Sequence, residues 1–275
     1  LNRCLTGYDL RHLRTGDGRF DLNSMLCGSE GTLAFLTAAR LNLEPIPRYS
    51  ALVNVGYASF DASLRDARDL MAAGPTAIET VDSTVLDLAR DDIVWDGVSE
   101  FFPEQHGAVR GINLVEFAAN DEAELERKVV GLTDALSVTP ARLGYTVARR
   151  DAVQRIWGMR KRAVGLLGNV KGAARPVAFV EDAAVPPERL ADFIAEFRAL
   201  LDAHNLNYGM FGHVDAGVLH VRPALDQRDP QLLQQVRRIS DEVAALCARY
   251  GGLLWGEHGK GVRSEYVPEV FGPLY

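Results

Sequence analysis

After residue 48 the chain alternates short apolar runs with stretches of helical period. SALVNVGY (50–57), TAIETV (76–81), GINLVEFA (111–118) and LGYTVA (143–148) are β-branched-rich and bounded by polar or glycine-containing breaks, the pattern of strands. Between them a helix opening at Asp61 puts Leu64, Ala67 and Met71 on one face, and another from Asp121 aligns Leu125, Val129, Leu132 and Leu136. RIWGMRKRAVGLL (155–167) reads as a basic amphipathic helix and PVAFVEDAAV (176–185) as a strand. Pro186 and Pro187 begin a helix carrying Phe193, Ile194 and Phe197, at the position where proline's missing N–H costs nothing. Asp229-Pro230 caps a last long helix, with Leu232, Val236, Ile239 and Val243, that Gly251-Gly252 stops.

A hairpin interrupts this alternation, so the expectation is an α+β fold. It consists of an antiparallel sheet covered by helices and built as two ferredoxin-like halves. LEPIPRYS (43–50), with its two prolines, marks a seam. Residues 49–275 form the main domain, and residues 1–48, ending in the apolar run GTLAFLTAARL, are a short piece of another.

Composition narrows the function classes. The 275 residues are 47% apolar and 24% charged, a globular balance. A net charge of −7 disfavours nucleic acid and anionic membranes as partners. Cys4, Cys27 and Cys247 are widely spaced with no CxxC pair, which suits a cytoplasmic compartment and leaves no iron–sulfur or disulfide framework in this chain. No apolar run approaches the roughly 18 residues of a membrane span. Because the chain opens on Leu1 rather than Met, it is expected to be a segment of something longer.

FGHVDAGVLHVRP (211–223) carries the candidate chemistry. A two-residue turn at Ala216-Gly217 would set His213 opposite His220, with Cβ atoms about 4.5–5.5 Å apart, close enough to share an ion. Hairpin histidines bonded to backbone or water are the plainer alternative. A third ligand is available in LLWGEHGKG (253–261), where a glycine-flanked turn lets Glu257 and His258 face one pocket. Glu257 then completes a His–His–Glu set, and His258 stands by as an acid or base. Alternatively Glu257 pairs with Lys260 or Arg263 in a surface loop.

GSEGTL (28–33), IWGMRK (156–161), FGHVDAGVLH (211–220) and GEHGKG (256–261) occur in the order seen in FAD-linked oxidases. The chain resembles the vanillyl-alcohol-oxidase-like family, in its D-lactate, glycolate and D-2-hydroxyglutarate dehydrogenase branch. Its closest flavour is the large bacterial flavoprotein that continues into an iron–sulfur module. The resemblance implies FAD and a divalent metal (zinc, iron or manganese) held by His213, His220 and Glu257. It implies His258 as the base, and Arg160 as the grip on the substrate carboxylate, with Arg222, Arg175 and Lys171 as further substrate contacts. It implies flavin contacts from Gly28, Ser29, Glu30, Gly31 and Thr32; a plain turn before an LAFLTAARL strand is the other reading of that loop. Trp157 reads as core rather than flavin-stacking. Relatives usually carry Gly-Asp-Gly-Asn between the histidines, where this chain has Asp215-Ala216-Gly217-Val218.

The expected function is therefore part of an FAD- and metal-dependent 2-hydroxy-acid dehydrogenase, cytoplasmic or peripheral to the inner membrane. The electron acceptor is unspecified and a homo-oligomer is allowed. This chain alone is expected to bind metal but little FAD and to lack turnover. A metal-dependent hydrolase and a non-catalytic carboxylate-binding module remain as alternatives.

Overall fold

The computed structural model describes residues 7–102, 108–137, 139–169 and 172–272. Its strands are β1 (Tyr49–Tyr57), β2 (Ala77–Asp82), β3 (Gly111–Ala119), β4 (Arg142–Arg149), β5 (Ala174–Pro176), β6 (Ala183–Ala184), β7 (Tyr208–His213) and β8 (Val218–Asp226). Its helices are α1 (Asn23–Leu26), α2 (Phe60–Met71), α3 (Ser83–Arg90), α4 (Glu122–Ala135), α5 (Asp151–Leu166), α6 (Leu190–Ala203), α7 (Leu232–Arg249) and α8 (Val267–Phe271).

All the pairings are antiparallel, in the order β4-β1-β3-β2-β7-β8-β5, with β6 also on β8. The first four strands, with α2 and α4 as crossovers, are the ferredoxin-like β-α-β-β-α-β unit. The second half repeats it: β6, α6, β7, β8 and α7 are followed by Leu253, which bridges back to Ala184 of β6. The halves join through their corresponding strands, β2 against β7, over Glu79–His213, Thr80–Gly212 and Val81–Phe211.

Side-chain alternation divides the core in two. Val53, Val115 and Met210 face α2, α4, α6 and α7, whose Leu64, Leu125, Phe197 and Val243 complete that layer. Leu52, Leu114 and Phe211 face the other way, onto α3 and α5 through Leu86 and Ile156. Burial on both faces explains why β1 and β3 read as nearly unbroken apolar runs. Truncating a fully buried ring such as Phe197 to alanine costs about 3–5 kcal/mol.

Helix starts follow local polar chemistry. Ser59 rather than Asp61 caps α2, accepting from the Ala62 amide at 3.1 Å. Asp121 caps α4 through Glu124 N at 2.8 Å. Asp229 accepts from Gln231 N at 2.8 Å, one residue before α7 begins, and Gly251 turns the chain out of α7 at φ 68°.

Three expectations are corrected. PVAFVEDAAV is not a continuous strand: only Ala174–Pro176 and Ala183–Ala184 pair, because Glu181 and Asp182 turn inward to the site and Asp182 adopts φ 70°. LAFLTAARL forms no strand, and Phe35, Leu43 and Ile46 are exposed, since nothing among the described residues pairs with that segment. The turn of the histidine hairpin uses Val214–Gly217 rather than two residues, with Gly217 left-handed at φ 73°. His213 therefore pairs with Val218 and His220 with Phe211. A shift of two positions preserves the face, so the two rings still meet diagonally.

Candidate metal centre

The site lies on the face covered by α3 and α5, where the first half gives way to the second. β7 presents His213 and β8 presents His220 and Arg222 on this face; β2 adds Glu79 and α5 adds Arg160. The 256–261 loop brings Glu257 and His258 over the strands, and a cleft of about 390 Å³ opens between them.

The histidines converge. Their rings stand 5.9 Å apart at 86°, and Nε2 of His213 and of His220 lie 3.1 and 2.9 Å from the same oxygen, Glu257 Oε1. Three residues spread over 45 positions thus meet within hydrogen-bond range. Burial lowers the His220 pKa against the pull of the Glu257 charge, which favours the neutral imidazole and its lone pair. Its Nδ1 is buried and has no hydrogen-bond partner among the described residues.

Asp182 shapes the loop. Wholly buried, it accepts from the amides of Gly256 at 3.0 Å, Glu257 at 3.0 Å and His258 at 2.9 Å, so one carboxylate organises three consecutive N–H groups. Gly256 is required there: a Cβ would lie 2.9 Å from both Val218 methyls and 3.0 Å from Asp182 Oδ1. Arg263 braces the loop through the carbonyls of Leu254 at 2.7 Å and Gly259 at 3.2 Å, and through that of Glu181.

His258 stacks on His220, centroids 4.9 Å apart and planes 9° from parallel, with Nδ1 3.4 Å from Glu181 Oε1. Each cleft arginine has its own acid: Arg222 Nε is 2.6 Å from Glu181 Oε2, and Arg160 NH2 donates to Glu79 Oε2 at 2.7 Å. Glu79 Oε1 lies 2.7 Å from His213 Nδ1. Burial would raise the Glu79 carboxyl, but the His213 hydrogen bond and the Arg160 charge outweigh it and hold the group below the ordinary glutamate value.

The donor set fits a divalent cation. Two imidazole nitrogens and a carboxylate oxygen share one locus, and His213 has its far nitrogen on an acid, as metal-bound histidines do. Asp182, His220, Glu257 and His258 form an overlapping group whose ligand atoms fall within 4.8 Å, but the oxygens of Asp182 are engaged by amides.

The structure thus brings together His213, His220, Glu257, His258, Arg160 and Arg222. Arg175, on β5, donates to the carbonyls of Gly172 at 2.7 Å and Ala174 at 2.9 Å and does not line the cleft; Lys171 lies outside the described residues. Ser29 and Thr32 hydroxyls donate within their own loop, to Leu26 O at 3.0 Å and Ser29 O at 2.6 Å, while Gly28, Glu30 and Thr32 line a groove with Lys260 and Ser264. Gly31 turns the loop at φ 82°. Trp157 packs against the α3–α5 core. Glu79, Glu181 and Asp182 escaped the sequence reading. Their signal was an acid embedded in an apolar run, TAIETV or PVAFVEDAAV, where a charge persists only with a partner.

Known proteins match this chain over most of its length. A D-2-hydroxyglutarate dehydrogenase of Pseudomonas putida is 62% identical over 279 residues, covering all of this chain and 28% of that protein. The Escherichia coli (strain K12) D-2-hydroxyglutarate dehydrogenase is 57% identical over 282 residues, 99% of this chain and 28% of the relative. The chain thus spans little more than a quarter of these relatives. An alkyldihydroxyacetonephosphate synthase structure superposes with TM-score 0.61 at 13% identity, over 92% of this chain and 48% of that one, a likeness of fold. The model of the FAD linked oxidases, C-terminal domain, matches residues 46–274. The chain belongs to that family, the C-terminal domain of FAD-linked oxidases.

Proposed function

We propose that this chain forms the metal- and substrate-binding part of an FAD-dependent dehydrogenase acting on a D-2-hydroxy acid of the 2-hydroxyglutarate class. The carrying observation is the convergence of His213 and His220 Nε2 on Glu257 Oε1, flanked by two arginines. Family membership and the likeness to D-2-hydroxyglutarate dehydrogenases support this reading over a hydrolase or a non-catalytic binding module.

His213, His220 and Glu257 would hold the cation. Bound there, it supplies the Lewis acidity that lowers the substrate hydroxyl pKa, while FAD supplies the hydride acceptor. Arg160 and Arg222 bind substrate carboxylate with paired N–H donors and orient the C–H bond. His258, with Nδ1 toward Glu181, takes the hydroxyl proton at Nε2, and Glu181 stabilises the imidazolium that results. The Phe211 ring, against His220 and beneath Arg160, gives the cleft an apolar wall beside these groups.

In the longer protein, residues 1–48 close the flavin domain. The family match beginning at residue 46 and the exposed Phe35, Leu43 and Ile46 support this. Gly28, Ser29, Glu30, Gly31 and Thr32 face the flavin, and electrons leave through an iron–sulfur module elsewhere in that protein.

The test uses the complete flavoprotein. Plasma mass spectrometry is expected to find a stoichiometric divalent ion. Exhaustive chelation should abolish oxidation of D-2-hydroxyglutarate, and restoring metal should recover it. Undiminished turnover by metal-free enzyme overturns the proposal.

A further inference from the structure

We propose that Glu79 is a positioning residue that ties the metal-ligand histidine to the substrate arginine, through opposite oxygens of one carboxylate. The inference rests on the functional reading above and extends it to a residue from the other half of the fold.

Glu79 comes from β2, and the seam sets it directly opposite His213 on β7. Its side chain is 7% exposed, so each oxygen requires a partner and each has one. Oε1 is 2.7 Å from His213 Nδ1, and Oε2 accepts from Arg160 NH2 at 2.7 Å. A carboxylate only accepts, so Nδ1 carries the proton and the Nε2 lone pair is turned toward Glu257 and His220. The same contact fixes the ring plane. On the other side, the Arg160 guanidinium lies over the Phe211 ring at 5.0 Å. Stacked below and bonded at one edge, it is held in one plane at the wall of the cleft, where it can meet an incoming carboxylate. A glutamine cannot replace this arrangement: its oxygen serves one partner while its NH₂ presents a donor to the other's donor. An aspartate keeps the charge but falls one methylene short.

Three variants of the complete flavoprotein test the assignment: Glu79→Gln, Glu79→Asp and His213→Ala. Flavin absorbance and Tm report folding. Divalent-ion retention is read by plasma mass spectrometry after dialysis against graded chelator, and kcat and KM for D-2-hydroxyglutarate are measured at saturating metal. Glu79→Gln is expected to weaken metal retention about 10–100-fold and to raise KM at saturating metal, with flavin content unchanged. Glu79→Asp should recover part of the metal retention. A Glu79→Gln protein that matches wild type within about twofold in both metal retention and KM overturns the proposal. Should the Glu79→Gln protein fail to hold flavin, the double-mutant cycle of Glu79→Asp with Arg160→Lys decides: coupled effects on KM support the tie, and additive effects overturn it. His213→Ala separates the two readings. Its loss of metal beside an unaffected Glu79→Gln sinks only the role of Glu79, whereas wild-type metal retention by His213→Ala sinks the metal site itself.

Discussion

Glu30 and Lys260, 230 positions apart, are joined twice: the Lys260 amide donates to Glu30 Oε2 at 3.0 Å and its ammonium to Oε1 at 2.7 Å. The side chain of Lys260 is 11% exposed and that of Glu30 35%. The GSEGTL loop therefore grips the loop that carries Glu257 and His258. Whatever sets the position of the first is felt by the second.

Glu30→Ala should release this clamp. Two bonds to charged groups are lost at a half-exposed acid, so stability falls by about 1–2 kcal/mol. Hydrogen exchange is the sharper measurement: amides of residues 256–260 are expected to exchange faster while those of β1 and β3 do not change. Unaltered protection across the loop would show that the clamp carries no load.

Gly217→Ala tests the hairpin. The residue has φ 73°, and an added Cβ would fall 2.0 Å from the Val185 carbonyl, which backbone on both sides keeps in place. The expected loss is at least about 3 kcal/mol, seen as a lowered Tm or as an insoluble product. A variant melting within a few degrees of wild type would mean that the turn adopts another conformation.

Asp82 supplies a pH signature away from the histidine cleft. It is fully buried at the end of β2, where it accepts from the Val85 and Met210 amides at 3.0 and 2.9 Å. Burial pushes its carboxyl up from 3.8 to about 6, against the pull of those amides and of Arg198. The folded state thus binds this proton more tightly than the unfolded chain. The stability it contributes is complete below the unfolded pKa and is lost as pH rises through the folded one. Asp82→Asn cannot titrate, so the stability of wild type relative to the variant should decline between pH about 4 and 7, by on the order of 1–3 kcal/mol. Urea unfolding at both pH values measures it, and a constant difference would refute it. His220 titrates in the opposite sense, since its lowered pKa makes acidification destabilising in both proteins and so cancels.

His258→Asn separates binding from proton transfer in the complete flavoprotein. Because its ring stacks on His220, while His213 and His220 are the histidines at Glu257 Oε1, metal and flavin should stay while kcat falls about 10²–10⁴-fold. Metal loss in step with activity would instead make His258 a ligand.

Much of this arrangement was legible in the sequence because it follows from period. The β1, β3, α4 and α6 segments declare themselves by apolar spacing, and their order implies the duplicated ferredoxin-like unit. His213, His220 and Glu257 stood out because glycine and short-turn contexts limit where such side chains can point. The register of the hairpin was not legible: a two-residue and a four-residue turn both keep the histidines on one face, and the choice depends on Gly217 packing against Val185. Glu79 and Asp182 were hidden for a different reason. Each is an acid whose meaning lies in a partner more than 70 residues away, Arg160 and His213 for one, the 256–258 amides for the other.

Only three residue pairs join β2 to β7, and one of them is Glu79 with His213. His213, His220, Glu257 and His258 belong to one half, while Glu79 belongs to the other. A slip of one position along that narrow suture would turn Glu79 away from the cleft and leave His213 without its acid. The site is assembled on this short line of pairing, so a rigid-body shift between the halves is transmitted first to the contact between Glu79 and His213.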